Sequence, residues 1–192
     1  MINSNDGLKE IIRYCNNYPV IFTTGYTCRS AFNINDKDNH FYMLGSMGMA
    51  SSIGAGIAMC SNNKVIIVDG DGSFLMNPSA QYTISSMKLS NIVHIVFDNS
   101  SYESTGGQDT NSNYFDLCKI SISAGYEKAV IVNSLTLFTE EIKKSLESDN
   151  GPVLILCKTN NKAKNEIGRR VDISPELIYK RFSKFCKKQI VG

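Results

Sequence analysis

The sequence predicts an α/β protein: a doubly wound, mostly parallel sheet with helices on both faces. Three observations carry this reading. Apolar, β-branched runs at 65–68, 92–97 and 153–157 read as buried strands. Along the chain such runs alternate with segments of helical period, the succession that builds parallel sheets. The run that leads to Asp71 and the run that leads to Asp98 are separated by about 26 residues, enough for a helical crossover between parallel neighbours.

Taken in order, Leu8, Ile11, Ile12 and Cys15 mark one apolar face of a short helix that ends before Pro19. Residues 20–23 form a strand, and Thr24, Gly25, Tyr26 and Thr27 a turn into a helix near 30–32; such a turn can offer backbone N–H groups to a phosphate. Residues 41–44 give a second short strand, followed by Gly45-Ser46-Met47-Gly48. In the next helix, at 49–60, seven of twelve residues are Ala, Ser or Gly, a nearly bare surface that backbone or ligand can approach closely. That approach offsets the roughly 1 kcal/mol that an interior glycine costs against alanine.

The stretch 65–99 organises the rest. It delivers Asp71 at a turn flanked by Gly70 and Gly72, which lack a Cβ and permit close approach to a ligand. Asn77 and Pro78 read as the cap and first residue of a covering helix, and the second run delivers Asp98 and Asn99. As neighbouring parallel strands, the two runs set Asp71 beside Asn99 at the carboxyl edge, where open α/β sheets bind ligands. The loop at 100–115 is polar and glycine-rich, of a length associated with function. Residues 120–124 and 129–132 read as strand material. A helix then starts at Ser134 or Thr136, with Leu135, Phe138, Ile142 and Leu146 on one face, and Gly151-Pro152 ends it. Residues 153–157 form a further strand, and Ser174-Pro175 opens a basic terminal helix reaching about residue 188.

A chain of 192 residues with 42% hydrophobic composition is read as one domain over 1–192. The six cysteines include no CxxC pair, so neither a zinc site nor a disulfide framework is expected, and reduced thiols suit the cytoplasm. No apolar stretch approaches the roughly 20 residues that cross a bilayer, and the first residues lack a signal pattern; a soluble, cytoplasmic protein with no membrane partner is expected. The net charge of +2 hides an asymmetry: residues 158–192 carry ten Lys/Arg against three Asp/Glu, residues 1–157 ten against fifteen. That tail is a solvated amphipathic helix or a contact for an anionic ligand or partner. Its aromatics, Tyr179, Phe182 and Phe185, fall at spacings of three, a core-face period that argues against nucleic-acid binding.

Spacing excludes several chemistries. Asp69-Gly70-Asp71 begins like a calcium loop, but Phe74 stands where glycine is needed and Ala80 where the bidentate Glu belongs. No P-loop, GxGxxG, HExxH or GxSxG occurs. His94, inside a strand run, reads as structural.

Gly70-Asp71-Gly72-Ser73, followed by Asp98-Asn99, resembles the diphosphate-and-metal motif of thiamin diphosphate (ThDP) enzymes, in which the final pair is usually Asn-Asn. Gly45-Ser46-Met47-Gly48 stands upstream where those enzymes grip the aminopyrimidine. TTGYTCR, GSMG, GDGS and SSYESTGGQDT together most resemble the phosphonopyruvate decarboxylases, then the sulfopyruvate decarboxylases, over about residues 20–170. The resemblance implies that Asp71, Asn99 and the Ser101 carbonyl hold Mg²⁺. It further implies that Gly72 and Ser73, with Gly25, Tyr26 and Thr27 opposite, bind diphosphate. The Gly45 carbonyl, beside Ser46, would accept from the cofactor's amino group, and Met47 would hold the cofactor bent. It implies a decarboxylase of a small anionic 2-oxo acid, with phosphonopyruvate ahead of sulfopyruvate. A carboligase of the acetolactate synthase type and a regulatory ThDP-fold module are the alternatives. The activating Glu of the family comes from a pyrimidine-binding domain, so a separate partner subunit is expected to supply it, and no catalytic residue is assigned within this chain. Glu103, Ser104, Thr105, Gln108, Arg169 and Arg170 are substrate-side candidates, the arginines because a guanidinium fork suits a polyanion.

Overall fold

The computed structural model describes residues 1–161 and 167–190. The chain opens with α1 (Ser4–Tyr14), capped by Asn3, whose side-chain oxygen accepts the Asn5 and Asp6 N–H groups. There follow β1 (Val20–Phe22), α2 (Tyr26–Ile34), β2 (His40–Tyr42), α3 (Ala50–Ala58), β3 (Val65–Gly70), α4 (Asp71–Met76) and α5 (Ser79–Ser86). The second half holds β4 (Ile92–Asp98), a 3-10 turn (Ser112–Tyr114), α6 (Leu117–Ser123), β5 (Lys128–Val132), α7 (Leu135–Glu147), β6 (Val153–Lys158) and α8 (Pro175–Ile190).

The six strands form one sheet in the order β2-β1-β3-β4-β6-β5, with every pairing parallel. Alternation along the strands sorts the core into two layers. Ile66, Val68, Val93, Ile95 and Phe97 face α1, α2 and α7. Val65, Ile67, Ile92 and Val96 face α3, α4, α5 and α6. The small residues of α3 serve the sheet: a β-carbon at Gly54 would lie 2.5 Å from the Ile67 side chain, so this glycine sets how closely α3 sits on β3. The basic terminal helix α8 covers the β2 edge. Ile178 enters one core layer and Phe182 the other, and Arg181 forks onto both Asp36 oxygens at 2.5 and 2.7 Å. Tyr179 stays exposed. Lys162 and Lys164 of the tail, and residue 166, lie outside the described residues.

Several local readings change. Residues 120–124 belong largely to α6, not to a strand: Asp116 caps the helix by accepting the Lys119 N–H, and the Ser121 hydroxyl bonds back to the Leu117 carbonyl. Asp71 starts a helix of its own, α4. Asn77 does not cap α5 with its side chain, whose amide instead donates to the Gly48 carbonyl at 2.8 Å. The helix after the Thr24–Thr27 turn begins at Tyr26, before residue 30, and the second strand is His40–Tyr42 rather than 41–44.

Candidate functional site

β3 and β4 run parallel with Gly70 opposite Phe97, so Asp71, Asp98 and Asn99 emerge along one edge of the sheet. Asp71 is only 2% exposed, and its carboxylate accepts the Thr110 hydroxyl. Burial pushes its pKa up to about 6, and the nearby Asp98 charge adds to this. The Thr110 hydrogen bond and backbone N–H groups pull the other way. Neither flanking glycine has a positive φ. Gly72 answers to space instead, because a β-carbon there would overlap the Tyr102 ring.

Asn99 turns its Oδ1 to the Ser101 N–H (3.1 Å) and its amide to Glu103 (3.1 Å). Asp98 points away from Asn99, into the protein. It is 1% exposed, pairs with Lys158 of β6, and accepts the Ser112 hydroxyl (2.7 Å) and the Ser100 N–H (3.1 Å). The 100–112 segment is therefore tied at both ends. Ser101 bridges to Asp109, the Tyr102 N–H donates to the Gln108 carbonyl, and Ser100 takes a left-handed turn at φ +57°.

The Ser73 hydroxyl donates to Asp69 (2.6 Å), accepts the Gly48 N–H (3.0 Å) and accepts the Thr23 hydroxyl (2.8 Å). That exhausts a hydroxyl, which bolts β1, β3 and the 45–48 loop together; only the backbone of Ser73 is left to face a ligand. Asp69 continues inward to His94 Nε2 (2.9 Å), and the Tyr126 hydroxyl meets His94 Nδ1 (3.1 Å). Burial and the Asp69 charge push the Tyr126 pKa up, so this phenol stays a donor. His94 is structural, as expected.

Above these residues lies a cleft lined by Thr24, Tyr26, Thr27 and Met47 together with Asp71, Gly72, Ser73, Asn99, Ser101, Glu103 and Ser104. A second cleft opens from it, lined in part by Gly25, Arg29, Ser104, Thr105 and Arg170. The fold thus gathers most of the residues singled out from the sequence. Gly45 and Ser46 are exposed and line neither cleft. Gln108 folds back over Gly106 on the outside of its loop, and Arg169 pairs with Asp172, so both stand outside the clefts. Thr23, Asp69, Thr110, Lys158 and Arg29 carry no site role of their own in the sequence, although Thr23 and Arg29 begin and end TTGYTCR and Thr110 ends SSYESTGGQDT. Their signal is tertiary: Thr110 comes 39 positions after Asp71, and Arg29 reaches a carbonyl 139 positions away.

Among the described residues no three His, Cys, Asp or Glu side chains gather to hold a metal, and no helix is long and apolar enough to cross a membrane. The Asp71 carboxylate, the Asn99 amide and Ser101 do share the first cleft, with the Glu103 carboxylate also in its lining. Such a sparse, all-oxygen set suits Mg²⁺ that brings phosphate oxygens with it, because Mg²⁺ prefers few protein ligands alongside substrate phosphates.

Residues 23–157 match the profile of the thiamine pyrophosphate enzyme C-terminal TPP-binding domain. The chain is 36% identical to a phosphonopyruvate decarboxylase of Streptomyces hygroscopicus over 167 residues, 87% of this chain and 41% of that protein. It is also 36% identical to the sulfopyruvate decarboxylase subunit beta of Methanococcus maripaludis over 181 residues, 94% of this chain and 96% of that one. It thus spans about two-fifths of the first relative and nearly all of the second. The fold is shared with a Rhodococcus jostii RHA1 thiamine diphosphate-dependent 4-hydroxybenzoylformate decarboxylase (TM-score 0.71, 18% identity, 84% of this chain and 33% of that chain).

Proposed function

Because the chain belongs to the thiamine pyrophosphate enzymes and carries their C-terminal TPP-binding domain, we propose that it is the diphosphate- and Mg²⁺-binding subunit of a two-subunit 2-oxo acid decarboxylase. The reaction proposed is phosphonopyruvate to phosphonoacetaldehyde and CO₂. The carrying observation is the convergence of Asp71, Asn99 and Ser101 on one cleft at the ends of adjacent parallel strands, with Met47 in the same lining. Sulfopyruvate is a second reading, favoured by the end-to-end match to the beta subunit of sulfopyruvate decarboxylase.

In this reading Asp71 and Asn99 hold the metal, with the Ser101 carbonyl as third ligand. Thr110 keeps one Asp71 oxygen occupied and so orients the carboxylate, while the α4 backbone at Gly72 and Ser73 and the turn at Gly25, Tyr26 and Thr27 flank the diphosphate. Met47, which lines both clefts, would support the cofactor's ring system, whereas Gly45 and Ser46 stand exposed beside it and line neither cleft. A flexible thioether suits that contact. When bound, ThDP supplies the electron sink for the carbanion left as CO₂ departs. The activating Glu comes from a separate pyrimidine-binding subunit. In this reading Glu103, which accepts the Asn99 amide at 3.1 Å and lines the same cleft, would serve as the acid that protonates the departing product.

Calorimetry with ThDP and Mg²⁺ tests the reading. Binding is expected to require Mg²⁺ and to weaken by more than about 100-fold in Asp71→Ala. Affinity unchanged by that substitution refutes the assignment. Aldehyde release from phosphonopyruvate, sulfopyruvate and pyruvate by the complex with its partner then identifies the substrate.

A further inference from the structure

The second cleft, about 420 Å³ in volume, shares Thr24, Tyr26, Met47 and Ser104 with the first. The two differ in charge. Asp71 and Glu103 border the first, whereas the charged side chains lining the second are Arg29 and Arg170. On the proposed function, a ligand that spans both would meet the metal-and-diphosphate end of the site in the first and guanidinium groups in the second.

Arg170 is delivered there by a backbone fixed to α2. Arg29 Nε and Nη2 both donate to the Gly168 carbonyl at 2.9 and 2.5 Å, and the Asn33 amide donates to the Arg169 carbonyl at 2.8 Å. Gly168 packs against Asn33 so closely that a β-carbon would overlap its amide. The same helix begins at Tyr26, which lines both clefts, so the position of Arg170 is referred directly to the cofactor side of the site. The neighbouring arginine is otherwise engaged, since Arg169 pairs with Asp172 at 2.5 Å and lies over the Phe32 ring. Arg170 has no ion-pair or hydrogen-bond partner among the described residues.

We propose that Arg170 binds the second anionic group of the substrate, the phosphonate or sulfonate at the carbon beyond the ketone, with Arg29 as the positioning residue that holds its segment and adds charge behind it. This rests on the decarboxylase reading and deepens it. A tetrahedral group with three oxygens accepts two parallel N–H bonds from one guanidinium, which a lysine cannot reproduce. In a three-carbon acid that group lies one carbon from the ketone, and the two clefts are contiguous across Met47 and Ser104.

The test assays the complex with its partner subunit on phosphonopyruvate, sulfopyruvate and pyruvate, as wild type, Arg170→Ala and Arg170→Lys. For the doubly anionic acid that the wild type turns over, kcat/KM is expected to fall about 10- to 100-fold in Arg170→Ala, mainly through KM, with Arg170→Lys between. Turnover of pyruvate and affinity for ThDP with Mg²⁺ should stay within about twofold of wild type on this proposal. Equal losses on all three acids, no loss on any, or a wild type that uses pyruvate alone overturns the subsite. A wild type that binds ThDP but releases no aldehyde from any acid overturns the decarboxylase reading instead. Phosphonoacetate, which needs no turnover, then decides the subsite separately: it should raise the melting temperature of the ThDP-loaded wild type and not that of Arg170→Ala, and an equal response of the two refutes it.

Discussion

Asp98 stands where ThDP enzymes usually carry asparagine, and its surroundings give the reason. A buried carboxylate needs a partner, and Lys158, in register opposite it on β6, supplies one while two serines fill the remaining acceptor capacity. Asp98→Asn leaves the ammonium without its counter-charge. Because Lys158 is 34% exposed, water screens part of the loss, and the expected cost is about 1–2 kcal/mol. Urea unfolding of Asp98→Asn, Lys158→Gln and the double variant measures it; a coupling near zero would show that the serines alone hold the turn. At this scale the sequence marks Asp71 and Asn99, whose neighbours in the chain betray them. It does not mark Thr110, whose hydroxyl meets Asp71 only after the 100–112 segment has folded back over Gly72.

Helices and strands were legible where their apolar period was long. The face of α7 and the buried runs of β3, β4 and β6 stand out, because a parallel strand covered on both sides has no polar alternation to obscure it. Residues 120–124 were not legible: alternating Ile120, Ser121 and Ile122 imitate a strand, and the deciding feature is the Asp116 cap outside that window. For α8 the spacing of aromatics pointed to a core face, yet only Phe182 of the three is fully buried, with Ile178 beside it. The helix closes the β2 edge through these two residues and the Arg181–Asp36 fork. Phe182→Ala is expected to cost about 3–5 kcal/mol in urea unfolding. A loss below 1 kcal/mol would mean that the fork, not the apolar contact, docks the helix.

For the molecule as a whole, His40 links that docking to pH. It is fully buried beside Phe22, with Nδ1 on the Tyr42 hydroxyl at 3.0 Å. Burial pushes its pKa down to about 3, Lys37 and Arg181 add to this, and Asp36 opposes it. An unfolded histidine titrates near 6.5, so the unfolded chain gains protons that the folded chain refuses. This contribution to stability is complete above about pH 6.5 and is lost as pH falls toward about 3, by up to about 1.4 kcal/mol per unit. Asp71, pushed up to about 6, acts with the opposite sign, so the measurement compares wild type with His40→Gln. Between pH 7.5 and 5 the variant should lose less stability than the wild type, and parallel profiles would exclude His40 as a source. By itself the sequence determined the parallel α/β class, the order of most elements and the residues delivered to the carboxyl edge, because strand burial and turn chemistry are local and periodic. Only the tertiary structure decided which arginine faces the cleft, that the Ser73 hydroxyl is spent on Asp69, Thr23 and Gly48, and that Asp98 answers to Lys158. Those are contacts between side chains far apart in the chain, and a contact formed by folding leaves no period to read.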